Sequence, residues 1–423
     1  MIIIQIMKIQ GYRKRALQDA VENALRAHPV VVVSGARQTG KTTLVRNLPS
    51  SGKRVFETLD DLDVLEVASK RPEELLARGR RLTVDEVQRV PGLLLAIKRD
   101  VDRRRQNGRF LLTGSANLML MRQVADSLAG RAVYMLLSPF TAGEKRGEGT
   151  VPPWQGVLAC KNAQAAVDLV RSFEIRKTDI RSEILTGGMP PAVLARSARE
   201  RSHWFEGFVR TYVERDLRDV SQVSSLPDFR RLMTLAAHRI GQIANQSELA
   251  RDAGLSQATA HRHINLLETT YQVHRLPVYG ANPSKRLIKA PKLYWTDSGL
   301  AAHLVGLTGL SAVEKSPRTG ALLENLILTG LLAWRESVHP RPELFYWRTA
   351  GGAEVDFVIE RGARLLPVEI KKAKQVGLSD IRHLELFLGD YKDKASWAAL
   401  LHDTDEPHLI TAKVAGLPIS HFF

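Results

Sequence analysis

The residues best placed to do chemistry are Gly35, Ala36, Arg37, Gln38, Thr39, Gly40, Lys41 and Thr42, with Thr43 next. Glycines at 35 and 40 let the backbone curl so that successive N–H groups point at one anionic centre. Lys41 adds a point charge, and Thr42 offers a hydroxyl to Mg²⁺. A helix opening at Thr42 aims its positive end at the same place. This is the chemistry of holding a nucleoside triphosphate, with ATP and Mg²⁺ as the expected ligands. A second element agrees. Leu82-Thr83-Val84 is an apolar strand ending in Asp85 and Glu86. Asp85 would hold the Mg²⁺ shell and Glu86 would polarise the attacking water. The third element is residues 110–117, a strand ending in Ser115 and Asn117 that would sense the γ-phosphate, Ser115 first. Adenine recognition would rest on residues 12–15, for which a solvated basic turn is the plain alternative.

A separate carboxylate–lysine cluster lies far downstream. Glu354 and Asp356 share one face of an expected strand, as Glu369 and Lys371 do on the next. Pairing those strands would let Asp356 and Glu369 hold Mg²⁺ while Lys371 orients water for phosphodiester attack. Glu324, on the preceding helix, would add a ligand. The pattern resembles the D…ExK signature of the restriction-endonuclease-like fold, with Val355 where a proline often stands. A domain that keeps this fold for binding without cutting is the alternative.

The elements that must position these groups follow from periodicity. Residues 16–27 carry helical spacing and stop at His28-Pro29. Val30-Val31-Val32-Val33 reads as a fully buried strand. Short apolar runs at 54–59, 82–85, 109–113 and 132–137 alternate with helical stretches. The pattern predicts a doubly wound parallel sheet over residues 1–145, with the 109–113 strand lying between the 30–33 and 82–85 strands. Residues 141–162 read as a boundary loop. A mainly helical lid or linker fills 146–235. Asn245-Gln246-Ser247-Glu248 is a capping-box signature. A helix, the turn Gly254-Leu255 and a second helix capped by Ser256 form a helix-turn-helix pattern. Strands at 271–279 and 292–295 would make its wing, giving a winged helix over 236–312. On the second helix Ala260, Ile264 and Leu267 would face the core. Gln257, His261, Arg262 and Asn265 would face out, suited to phosphates and base edges. Lys285, Arg286, Lys289 and Lys292 would add charge beside the wing. Residues 313–423 read as a smaller α/β domain. It would hold a helix at 320–335, strands at 354–360 and 365–371, a helix at 378–388 and a final strand at 395–401. The aromatic run 346–348 suits a core strand.

Composition narrows the partners. Lys and Arg number 61 against 45 Asp and Glu, a formal net charge of +16 over 423 residues. Such an excess favours a polyanion, and DNA held through its backbone is the expected one. One cysteine, Cys160, excludes a disulfide framework or thiolate cage and suits a reducing cytoplasm. The apolar start, residues 1–7, is too short to span a membrane and lacks a signal peptide's basic region; Met7 is an alternative start.

The segments GARQTGKTTL, LTVDEVQ, FLLTGSAN and SLAGR resemble prokaryotic AAA-type ATPases that carry a C-terminal domain of unknown function. The stretches around Gly187-Gly188-Met189-Pro190 and Tyr212-Val213-Glu214-Arg215-Asp216, and the end GGAEVDFVI…PVEIKK, are similar to that family too. The resemblance covers nearly the whole chain. It implies an AAA-type core, a winged-helix module and a restriction-endonuclease-like end. It also implies self-association into a ring, in which a neighbour's arginine completes the ATP site. Arg131 is the first candidate, followed by Arg215 and Arg218. The expected function is an ATPase that binds, remodels or moves along DNA, branched or single-stranded, with a C-terminal Mg²⁺-dependent nuclease. The alternative is an ATP-gated oligomeric switch in signalling or defence.

Overall fold

The computed structural model describes residues 11–116, 128–174, 177–212, 225–280 and 290–423. Asn117, Arg215, Arg218, Lys285, Arg286 and Lys289, like residues 1–10, lie outside the described residues.

Strands β1 (Val30–Ser34), β2 (Val55–Thr58), β3 (Leu82–Asp85), β4 (Phe110–Gly114) and β5 (Ala132–Leu136) form a parallel sheet in the order β2-β3-β4-β1-β5. Every residue of β1, β3 and β4 is buried, which is why these strands are unbroken apolar runs in the sequence. Val21, Leu25 and Leu44 cover one face, and Leu75, Leu94 and Ile97 the other. As expected, β4 sits between β3 and β1. The register Val33↔Thr113 and Val84↔Leu112 brings three strand ends to one edge of the sheet. Ligands bind at that carboxyl edge in open α/β sheets.

The segment 141–162 is not simply a loop. It holds the helices Ala142–Lys145 and Trp154–Ala159. Thr141 and Glu144 close a reciprocal capping box that starts the first. Trp154, fully buried, packs 4.6 Å from Phe422 and anchors the second. Gly and Pro density concealed both. The break expected at residue 235 falls inside the helix Leu226–His238.

Helices Gln246–Asp252 and Gln257–Thr269 flank Gly254, whose φ of +62° makes the turn. Ser256 caps the second helix by accepting from the Thr259 N–H. Ala260, Ile264 and Leu267 are buried, joined by His263. Asn245 accepts from the Glu248 N–H, but Glu248 answers on the Asn245 side-chain amide. The capping box is therefore only half formed. Strands β6 (Val273–Leu276) and β7 (Lys292–Trp295) pair antiparallel.

After the helix Thr319–Ser337 come β8 (Glu343–Arg348), β9 (Glu354–Arg361), β10 (Arg364–Lys371), β11 (Ala398–His402), β12 (His408–Thr411) and β13 (Val414–Pro418). They form one mixed sheet in the order β12-β13-β11-β10-β9-β8. The strand expected at 395–401 to be the last runs from Ala398 to His402, and β12 and β13 follow it. β12 is a short, partly exposed edge, and β13 carries Gly416 and Pro418, residues that argue against a strand in sequence. Burial of all of β13 beside β11 overrides them.

Candidate functional site

At the sheet edge, Gly35 and Gly40 take φ of +153° and +94°, a region side chains disfavour, and Gln38 follows at +63°. Lys41, nearly buried, donates from Nζ to the Gly35 and Ala36 carbonyls at 3.0 and 2.9 Å. Thr39 Oγ1 donates to Ala36 O at 2.9 Å. The loop is thus wound around the ammonium that would meet the phosphates.

Thr42 Oγ1 donates to Asp85 Oδ2 at 2.8 Å, and Thr113 Oγ1 donates to Asp85 Oδ1. Burial pushes the Asp85 carboxyl up, and the two hydroxyls pull it back toward the charged form. The residues fit a Mg²⁺ ion: Thr42 and Asp85 are the pair that would hold its shell. Glu86 sits in the left-handed region at φ +59°. Its N–H donates to Thr113 Oγ1 at 3.3 Å, fixing the turn after β3.

Gln88 and Thr113 belong to this site, and sequence reasoning passed over them; Arg15, in the segment 12–15 expected at adenine, packs beside the loop. Gln88 Nε2 donates to Glu86 Oε2 at 2.5 Å and to Ser115 Oγ at 3.0 Å. Ser115 Oγ also donates to Glu86 Oε2 at 3.3 Å, so the expected phosphate sensor is tied to the expected base. The signal for Gln88 was its place two residues after Glu86. Arg15 is not on a solvated basic turn. It is 3% exposed, donates to Thr39 O at 2.8 Å and Ser138 O at 2.6 Å, and pairs with Glu144 at 3.1 Å. Tyr12 instead donates to Gln18.

Arg131 pairs with Asp102 through Nε at 2.5 Å and Nη2 at 3.0 Å on the surface of its own chain. Serving a neighbouring subunit would require it to leave Asp102.

The middle region reaches the same edge. Tyr271 follows the second helix of the helix-turn-helix, and its hydroxyl donates to Ser34 Oγ at 2.8 Å, next to Gly35. Asp297, 1% exposed, accepts from the Gly188 and Met189 N–H groups at 2.6 and 3.1 Å. At Gly187, φ +61°, a Cβ would strike that carboxylate. Glycine is required there for close approach.

In the C-terminal domain, Asp356 Oδ2 accepts from Ile370 N–H at 2.9 Å, and Lys371 Nζ pairs with Glu369 at 2.8 Å. Tyr294 donates to Glu324 at 2.9 Å. Lys292 is not a solvent-facing wing charge. It is 3% exposed, 2.5 Å from Glu354 Oε1 and 3.9 Å from both Asp356 and Glu324. Burial, then the neighbouring Asp356, pushes Glu324 and Glu369 each up to about 8. Among the described residues no three Asp, Glu, His or Cys side chains are placed to hold a metal ion. The expected Mg²⁺ pair, Asp356 and Glu369, therefore does not fit the ion as arranged. Each has a cationic or N–H partner instead.

On the helix-turn-helix, Gln257, His261 and Arg262 are exposed. His261 is braced by Gln246 at 2.7 Å and Asn265 at 2.9 Å. Among the described residues no helix is long and apolar enough to cross a membrane.

A parallel sheet with a phosphate loop after β1, carboxylates after β3 and β4 between them defines a P-loop ATPase core. Consistent with this, residues 27–145 match the family model described as "AAA domain". Residues 177–311 match "Domain of unknown function (DUF8612)", and 319–422 match "Domain of unknown function (DUF4143)". The chain is 32% identical over 369 residues to the uncharacterized proteins Mb2031c of Mycobacterium bovis and Rv2008c of Mycobacterium tuberculosis, covering 86% of itself and 75% of each. It belongs to their family, and in this chain an AAA domain is joined to a DUF4143 domain. Among solved structures, the Walker-type ATPase PABY2304 of Pyrococcus abyssi is similar at 13% identity and a TM-score of 0.42, over 68% of this chain and 94% of that one.

Proposed function

We propose that this protein hydrolyses ATP with Mg²⁺ and uses the cycle to bind or remodel DNA through backbone contacts. The observation that carries the ATP reading is the direct bond from Thr42 to Asp85, with Lys41, Glu86 and Thr113 around it. Bound Mg²⁺ would supply charge neutralisation on the phosphates. Lys41 and the loop N–H groups hold the triphosphate, and Glu86 orients water.

The DNA reading is supported by the +16 charge and the exposed Gln257, His261 and Arg262 on the second helix of the pair turned at Gly254. ATP turnover with single-stranded, duplex, forked and four-way DNA tests it. Stimulation is expected, with affinity falling about a thousandfold between roughly 50 and 200 mM salt if about six phosphates are neutralised. Turnover indifferent to every nucleic acid would sink it. In that case the second reading, an ATP-gated oligomeric switch, gains. It is favoured by the Tyr271–Ser34 bond, which ties the middle region to the ATP edge. A ring completed in trans by Arg131 belongs to either reading. DNA cutting in the restriction-endonuclease-like manner, by Asp356, Glu369 and Lys371 with Glu324, would first require Lys292 to withdraw.

Gln88 acts in this reading as a positioning residue for Glu86 and Ser115. Gln88→Ala should lower kcat about tenfold and leave KM for ATP within about twofold, since the lost contact serves the reacting water and not nucleotide binding. A rise in KM at constant kcat would contradict that role.

A further inference from the structure

Three neighbouring strands of the ATPase sheet each begin after an arginine. Arg54 precedes β2, Arg81 precedes β3 and Arg109 precedes β4. The parallel register aligns Val55, Leu82 and Phe110. The Val55 N–H donates to Arg81 O and the Leu82 N–H to Arg109 O, each at 2.9 Å. The three arginines therefore stand side by side on the amino edge of the sheet, one per strand at a spacing of about 4.8 Å. That edge is opposite the one that carries the phosphate loop.

Two of the three are held by the fold. Arg54 donates to Gly108 O at 2.6 Å and to Leu82 O at 2.7 Å, while Arg109 donates to Leu76 O at 2.8 Å and pairs with Asp100 at 3.1 Å. Arg81 is exposed, as are its neighbour Arg80 and, beside Arg54, Lys53. The helix Leu93–Arg103 ends on the same edge, because Asp100 in its last turn holds Arg109. It delivers the exposed Arg103, Arg104 and Arg105 there. Gln106 Oε1 lies 3.5 Å from Arg80 Nε and joins the two turns. The carboxylates nearby are taken: Asp100 by Arg109, Asp102 by Arg131 and Glu57 by Arg78. Among the described residues no carboxylate pairs with Lys53, Arg80, Arg81, Arg103, Arg104 or Arg105. Burial first, then the Arg81 charge, pulls the Arg54 guanidinium down to about 10, so like charges crowd this edge. A helix end favours cations at 103–105 by itself, but it does not account for Lys53, Arg80 and Arg81.

We propose that this amino edge is a second nucleic-acid surface, on which the exposed cations hold the phosphates of a duplex. The inference rests on the DNA reading and adds to it a surface apart from the helix-turn-helix. Arginine forks match pairs of phosphate oxygens, and the unpaired cations have no carboxylate to give up on binding. Among these residues and their strand neighbours only Val55 exposes a large apolar side chain, and no aromatic does. A membrane-seeking face needs exposed apolar groups, and a single-strand platform needs aromatics on which bases stack. The backbone of a duplex needs neither. Because the surface faces away from the phosphate loop, duplex and nucleotide are held at opposite edges of one sheet.

The test is binding of a fluorescent DNA duplex to the full-length protein by anisotropy, repeated from roughly 50 to 200 mM salt. Arg80→Gln, Arg81→Gln, Arg104→Gln and Arg105→Gln combined should weaken binding at least about tenfold and flatten the slope of log affinity against log salt by about 3, since each lost phosphate contact removes about 0.9. Lysine at the same four positions should keep the slope within about one of wild type, because the charge is retained. Gln257→Ala, His261→Ala and Arg262→Ala combined should change the slope by about one or less, since Arg262 is the single certain cation removed. If the fourfold glutamine variant does not fold, Arg104→Gln with Arg105→Gln, on an exposed turn, should show about half the change in slope. A wild type that binds duplex beside a folded glutamine variant with the same affinity and slope overturns this surface and leaves the DNA reading standing. A wild type that binds no duplex removes both. Glutamine variants that lose binding to phosphatidylserine–phosphatidylcholine vesicles but not to duplex would assign the edge to a membrane surface and overturn the proposal. ATP turnover enters none of these readouts, so failure here leaves the ATPase reading standing.

Discussion

Glu86→Gln should slow ATP hydrolysis by at least about a hundredfold while ATP affinity stays within about threefold of wild type. The amide keeps the shape of the side chain and its bonds to Gln88 and Ser115, but it loses the charge that polarises water. The phosphate loop and Lys41, which bind the nucleotide, are untouched. Single-turnover hydrolysis and equilibrium binding of a labelled nucleotide separate the two effects. Turnover within threefold of wild type would remove Glu86 from the mechanism and leave Asp85 and Ser115 to explain it. The φ of +59° at Glu86 fits such a role, because a non-glycine residue in the left-handed region marks a place where geometry is imposed from outside.

Lys292→Met should destabilise the protein by about 3–5 kcal/mol near neutral pH, the usual cost of removing one partner from a buried ion pair. Methionine matches the stem but leaves Glu354, Asp356 and Glu324 without their shared cation. Lys371→Met should cost about 1 kcal/mol or less, because that side chain is 35% exposed and water screens its pair with Glu369. The loss in Lys292→Met should shrink as the pH falls. Glu324, which faces Lys292, has a folded-state value raised to about 8, above the unfolded carboxyl range. A group raised in this way contributes stability at low pH and loses it as pH rises through the folded value, so the folded state gains protons on acidification. Chemical unfolding of both variants at pH 6 and pH 8.5 checks the order and the sign. If Lys371→Met proves the more damaging, the central cation has been misassigned.

The ATP edge was legible because its parts are local. A glycine pair at fixed spacing, a lysine after the second glycine and two carboxylates after an apolar strand each announce themselves within ten residues. The place of β4 between β1 and β3 was expected too, from the architecture those motifs imply. The contacts of Gln88 and Arg15 were not legible, because each matters through what lies across the fold: Ser115, 27 residues on, and Ser138, 123 residues on. The segment 141–162 was misread for a related reason, since Gly and Pro describe local freedom while Trp154 answers to Phe422 far along the chain.

The composition, the phosphate loop and the helix-turn-helix pattern are properties of neighbouring residues, set by backbone sterics and hydrophobic periodicity, and the sequence determined them alone. What the tertiary structure decided is the environment of each charge. Lys292 reads in sequence as one more cation beside an expected wing. Only the packing of β7 against the helix Thr319–Ser337 and β9 buries it among Glu324, Glu354 and Asp356. Burial and proximity set whether a lysine meets water, DNA or a carboxylate, and neither is written in the residues beside it.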